Sequence, residues 1–321
     1  MAPLLSLRSA PERTRTARGR RSRLVHITGG SSYWECKSWY SVLLRLSIQH
    51  AIFGNALSHA VPGLPRNRLL HMVSFFTKLE ARMRFAGFNY TVEQGSMRTA
   101  PRGKIPYVAI TEDEGSRSCP PVVIGDSKLI MQTLVQRGFL PDLDAHLLPA
   151  EKLHDLALKA LVEDKLYFYQ MYEKWILNFY TMRSKILAAL PWPVQVVVGH
   201  LIYRKVSRTL NGQGTMTFSV DEIGVFRQEI WEGINAAVLA AQSRSGNHEG
   251  LFWIWAGEAR TETDAVLFGF IVSGLIFYSR APDSQRIIRS FPALMEYARK
   301  IHDRYFPNYD LWNEAETVEI K

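Results

Sequence analysis

Strand-like patterning in this chain stops near residue 140, and almost everything after it is helix or turn. Before that point short apolar runs and helical stretches alternate in the order β-α-β, then β-β-α. The strand candidates are residues 49–54, residues 89–93, a run that opens at Pro106, and residues 122–124. Gly54, Pro62, Gly63 and Pro65 mark a loop after the first of them. A helix is expected from near Met72, because Phe76, Leu79, Met83 and Ala86 recur at helical spacing and Gly87 stands where a left-handed cap belongs. Leu129, Ile130, Thr133 and Leu134 mark a second helix, ending at Gly138. An α/β unit over 47–140, a linker over 141–150, an all-helical unit over 151–312 and a short tail over 313–321 account for the chain beyond its first 46 residues.

Those 46 residues explain the charge. The net charge is +9, but residues 1–45 hold nine basic side chains against Glu12 and Glu35, so the rest of the chain is close to neutral. Nucleic-acid binding by the folded part is therefore not expected. An Arg- and Ser-rich arm almost free of acid fits a mitochondrial transit segment or a plain basic tail. Two cysteines, Cys36 and Cys119, make no disulfide framework and no metal set, and none of the nine histidines has ligand spacing. A reducing compartment follows from that usage: cytoplasm, with mitochondrion as the alternative. The longest apolar runs, at 191–203 and 265–278, fall short of the ~20 residues a bilayer span needs, so no transmembrane segment is expected.

In the helical part, residues 152–190 read as one long stretch with a break expected near Asn178. It carries Tyr167, Phe168, Tyr169, Tyr172, Trp175, Phe179 and Tyr180. Aromatics at helical spacing read first as core and second as the wall of an apolar pocket. Pro191 and Pro193 interrupt, residues 194–210 form a further helix, and residues 211–214 turn. Ser219 with Glu222, and Thr261 with Asp264, have capping-box spacing. The second box heads the most apolar helix of the chain, so its function is folding, not catalysis.

Three stretches carry a family resemblance: Lys78-Leu-Glu-Ala-Arg-Met-Arg-Phe-Ala-Gly87, Arg102-Gly-Lys-Ile-Pro-Tyr107 and Gly125-Asp-Ser-Lys-Leu-Ile130. Together with Tyr172-Glu-Lys-Trp175, Gln213-Gly214 and the run from Phe291 to Pro307, they resemble the failed-axon-connections and metaxin-like branch of the glutathione S-transferase superfamily. The resemblance implies a thioredoxin-like α/β domain followed by an all-α transferase domain. It implies a cis bond at Ile105–Pro106 that turns the Ile105 backbone toward the cysteinyl part of glutathione, the co-substrate. It also implies that Asp126 and Ser127, at a helix start with free amides, receive the γ-glutamyl carboxylate, with Ser127 as N-cap. Lys104 and Lys78 become candidates for the glycyl carboxylate.

A hydroxyl that donates to sulfur lowers a thiol's pKa. Where the branch has a Ser-Pro-Phe-Cys-like run, this chain has Val73-Ser74-Phe75-Phe76-Thr77. That moves the serine by one residue, about 100° around a helix, and leaves Ser74 the catalytic candidate. The resemblance thus implies glutathione conjugation to apolar small molecules, in a possible homodimer. The alternative is a non-catalytic, metaxin-like scaffold in organelle protein handling.

Overall fold

The structure is a computed structural model that describes residues 43–50, 74–94, 100–114, 117–118, 121–188, 190–246, 250–255, 257, 259–276 and 281–312. Residues 1–42, residues 51–73, both cysteines and the residues after 312 lie outside them.

The first unit is a mixed sheet with two helices. Strand β1 (Leu43–His50) pairs in parallel with β2 (Tyr90–Gln94) and antiparallel with β3 (Tyr107–Glu114). The far end of β3 pairs with the two-residue β4 (Arg117–Ser118), and its near end pairs antiparallel with β5 (Val122–Gly125). Helix α1 (Ser74–Phe85) connects β1 to β2, and α2 (Ser127–Gln136) follows β5. The first strand thus begins earlier than the expected 49–54, of which residues 51–54 lie outside the described ones, and takes in four residues expected in the arm. Leu44, Leu46 and Ile48 alternate with Arg45 and Ser47, a period-2 pattern that the basic composition upstream had masked. Phe76, Leu79, Met83, Val108, Ile110, Ile130 and Leu134 form the core of this unit.

The second unit is helical. Helix α3 (Pro149–Leu161) runs into a π-helical turn over Val162–Leu166, then α4 (Tyr167–Tyr172), a second π-helical turn over Glu173–Leu177, and α5 (Phe179–Ile186). Then come α6 (Trp192–Gln213), α7 (Val220–Ser245), α8 (Glu262–Ile276), α9 (Pro282–Arg289) and α10 (Pro292–Tyr305). Ser219 caps α7 with Glu222 reaching back, as the spacing predicts. At the head of α8, the Asp264 carboxylate accepts from the Thr261 amide at 2.6 Å and from the Thr261 hydroxyl at 3.0 Å. Helix α8 is buried from Thr263 to Leu275 and forms the axis of the second core.

Helix α1 is the hinge of the architecture, because it is buried on two sides. Phe76, Leu79 and Met83 pack into the sheet core, while Ala81 and Phe85 join the core around α8. Its polar residues lie between the two, so each needs a partner. The Lys78 ammonium pairs with Glu163 in the first π-helical turn, and Arg82 donates to Glu262 and to the Pro141 carbonyl. Glu80 accepts from Tyr90 at 2.7 Å and from Tyr309 at 2.6 Å. The Arg84 guanidinium lies over the rings of Phe306 and Tyr309, 4.5 and 4.7 Å from their centroids. The charged run from Lys78 to Arg84 is therefore what docks one unit on the other.

The approach of α1 to α8 requires Gly269. A Cβ there would stand 2.7 Å from the Ser74 carbonyl oxygen and 2.8 Å from the Lys78 nitrogen, both backbone atoms with no freedom to yield. Gly269→Ala is expected to push the two helices apart and destabilise the fold by about 2–3 kcal/mol, at the upper end of overpacking costs. Urea unfolding followed by circular dichroism measures it.

Candidate functional site

The residues between β2 and α2 build a compact feature at one end of the sheet. A short 3-10 turn, Pro101–Gly103, puts both Arg102 and Gly103 at positive φ, 59° and 61°. Lys104 ends it, and the Ile105–Pro106 peptide is cis. Pro106 is buried and immediately precedes β3, so no donor of the strand ladder is lost to it. Across from this turn, β5 ends at Gly125. A Cβ at Gly125 would fall 2.5 Å from the Pro101 carbonyl oxygen, so the glycine lets the turn close on the strand end.

Asp126 follows with φ +81°, in a region that non-glycine residues avoid at a cost of about 1–3 kcal/mol. Its carboxylate makes up part of that cost. It accepts from the Lys128 amide at 3.0 Å as the N-cap of α2, and from the Lys104 ammonium at 2.6 Å. Burial works to raise the Asp126 carboxyl. The Lys104 ammonium and the amides of the first turn of α2 outweigh it and hold the group below its ordinary value. The cap of α2 is thus Asp126, correcting the expectation for Ser127, which is the first helical residue and is buried.

Of the expected site residues, the structure brings together Lys104, Ile105, Pro106, Asp126 and Ser127 around the Lys104–Asp126 pair. It separates the other two. Ser74 is 5 % exposed, with its hydroxyl 2.6 Å from that of Ser273 on α8. It belongs to the contact between the units, and the thiol-poising part expected for it has no support in that placement. Lys78, the other candidate for the glycyl carboxylate, is buried and its ammonium is already paired with Glu163.

The aromatic stretch divides. Tyr169 and Tyr172 are core, while Tyr180 is exposed. Tyr167 and Phe168 pack edge to face, and the Tyr167 ring meets Phe75 of the first turn of α1 with centroids 4.9 Å apart. Burial pushes the Tyr167 hydroxyl up to about 12, so it stays a neutral donor at physiological pH. Phe75 was not singled out from the sequence, and only its place beside Ser74 pointed to it. A cavity of about 750 Å³ lies elsewhere in the helical unit, between Tyr172, Val220, Ile223, Arg227 and Asp283. Among the described residues no cluster of three or more His, Cys, Asp or Glu side chains could hold a metal ion, and no helix is long and apolar enough to cross a membrane.

Comparison with known proteins bears on this arrangement. Residues 74–182 match the family model of the glutathione S-transferase N-terminal domain. No curated protein matches the sequence. Among solved structures, the chain is similar to glutathione transferase Omega 2S from Trametes versicolor, at 11% identity over 83% of this chain and 92% of that one, with a TM-score of 0.45. A glutathione S-transferase from Rhodospirillum rubrum F11 is similar at 12% identity over 84% and 94%, also with a TM-score of 0.45. Another, from Methylobacterium radiotolerans in complex with glutathione sulfonate, is similar at 13% identity over 86% and 100%, with a TM-score of 0.42. The similarity to a glutathione S-transferase N-terminal domain thus runs over about a third of the chain, from α1 of the thioredoxin-like unit to α5 of the helical one.

Proposed function

We propose that the chain binds glutathione through the Ile105 backbone beside Pro106 and through the start of α2 at Asp126 and Ser127. The observation that carries the reading is the Lys104–Asp126 pair. It ties the turn before Pro106 to the head of α2, so the two elements that would grip the cysteinyl and γ-glutamyl parts of the tripeptide are held as one. A helix start with oriented amides suits the γ-glutamyl carboxylate, and the Ile105 backbone at the cis bond suits the cysteinyl part.

Conjugation of the bound thiol to an apolar electrophile needs a group that stabilises the thiolate, and Ser74 is engaged with Ser273 instead. That engagement favours a second reading, a non-catalytic metaxin-like scaffold or adaptor on a glutathione-transferase-like fold. Calorimetry of the full chain with glutathione separates the two. Micromolar to low-millimolar binding that Ser127→Ala weakens about tenfold, the worth of one hydrogen bond to a charged group, supports the peptide site. Turnover of an apolar electrophile by the same protein then supports the transferase. Absence of binding at glutathione concentrations above about 10 mM, equivalent to less than ~3 kcal/mol of affinity, leaves the adaptor.

A further inference from the structure

The helical hairpin of α5 and α6 differs from the rest of the chain in charge and in surface. Between Glu173 and Asp221 there is no carboxylate, while Lys174, Arg183, Lys185, Arg204, Lys205 and Arg208 are all basic. Helix α6 packs on its neighbours by one face only: Tyr203 meets the Phe179 ring at 5.1 Å, and Gly199 faces the Arg183 and Leu187 side chains. Its other face is open. Val194, Val197 and Leu201 are 45%, 61% and 60% exposed. At 3.6 residues per turn, Val194, Val197, Leu201, Arg204, Lys205 and Arg208 fall within an arc of about 100°. The apolar residues occupy the first half of this face and the basic ones the second, about one helical turn further along.

We propose that the open face of α6 is a membrane-surface element. Val194, Val197 and Leu201 lie in the boundary between headgroups and acyl chains, with Arg204, Lys205 and Arg208 at the level of anionic lipid phosphates. An apolar face flanked by basic residues is what interfacial helices present. The charge pattern selects this occupant over a second copy of the chain. Self-association through the same face would bring the three basic side chains against a surface that has no carboxylate to receive them. An anionic bilayer supplies that complement along the whole face.

The test is co-sedimentation of the full chain with vesicles of phosphatidylcholine, with and without phosphatidylserine, at about 0.15 M salt. The arginines of the arm attract the same vesicles, so variants of α6 decide the matter. All four substituted positions are exposed, and circular dichroism checks that the fold is kept. Arg204→Gln with Arg208→Gln is expected to lower partitioning about thirtyfold. Val197→Asn with Leu201→Gln is expected to lower it about tenfold or more. Unchanged binding of the Val197/Leu201 variant would overturn the proposal, because attraction through the arm survives that change. Failure of the full chain to bind serine-containing vesicles would overturn it as well. A dimer in sedimentation velocity that the Val197/Leu201 variant dissolves would overturn it in favour of a second copy.

Discussion

Asp264→Ala is expected to remove about 4 kcal/mol or more of folding stability, read as a large fall in the urea midpoint of the full chain. The carboxylate is fully buried and receives four hydrogen bonds. The Ile254 amide at 2.8 Å and the Tyr297 hydroxyl at 2.6 Å reach one oxygen, and the amide and hydroxyl of Thr261 reach the other. Alanine leaves these donors facing a dry void, at about 1–3 kcal/mol for each buried group without a partner. The turn at Ile254, the head of α8 and the middle of α10 all lose their common tie. Helix α8 also carries α1, so the loss is expected to reach the sheet unit, and both units should unfold in one transition.

The same residue gives a pH dependence with a definite sign. Burial pushes the Asp264 carboxyl up to about 6, against the four donors that pull the other way. The folded chain therefore holds this proton more tightly than the unfolded chain does. The stability it contributes is full below about pH 4 and is lost as pH rises toward 6, up to about 3 kcal/mol for a shift of that size. Asp264→Asn cannot titrate. The stability of the parent relative to this variant is therefore expected to fall as the pH is raised from about 4 to 7.

What the sequence disclosed about this fold was local, and what it hid was long-range. The capping box of Ser219 with Glu222 and the return of the Asp264 carboxylate to the Thr261 amide span three residues and are legible as written. So are the helical spacing of Phe76, Leu79 and Met83 and the punctuation by Pro106, Gly125 and Pro191. The partners of α1 are not. Lys78 finds Glu163, Arg82 finds Glu262, and Ser74 finds Ser273, each on another element far along the chain. A lysine or a serine on an amphipathic helix has the same local pattern whether it meets solvent, a ligand or a buried acid. The resemblance flagged the run from Lys78 to Gly87, and the docking of the two units supplies a physical reason for its charges. The cap of α2 is Asp126 rather than Ser127, and its surroundings are likewise long-range: Gly125 beside it closes on the Pro101 carbonyl, and its carboxylate pairs with Lys104. The break expected near Asn178 is the end of a π-helical turn that begins at Glu173.

That turn sets up the second large effect. Glu173→Ala is expected to cost about 3–5 kcal/mol, the range for leaving a buried charge without its partner. Glu173 is wholly buried, and its two oxygens serve two elements. One accepts from Arg227 on α7 at 2.7 Å and from the Ser284 hydroxyl, and the other accepts from the amides of Asp283 and Ser284 at 2.8 and 3.1 Å. Helix α9, whose own N-cap residue is Ala281 with no capping side chain, is therefore capped from a distance by this glutamate. Loss of the carboxylate strips that cap and leaves the Arg227 guanidinium buried with only Asp283, 3.6 Å away, for compensation. The two contributions separate in a double-mutant cycle. Arg227→Met relieves the orphaned charge but not the bare amides, so the variant carrying both substitutions is expected to be more stable than the sum of the single losses by about 1–3 kcal/mol. Strict additivity in urea unfolding would mean that the cap of α9, rather than the ion pair, is what Glu173 contributes to the fold.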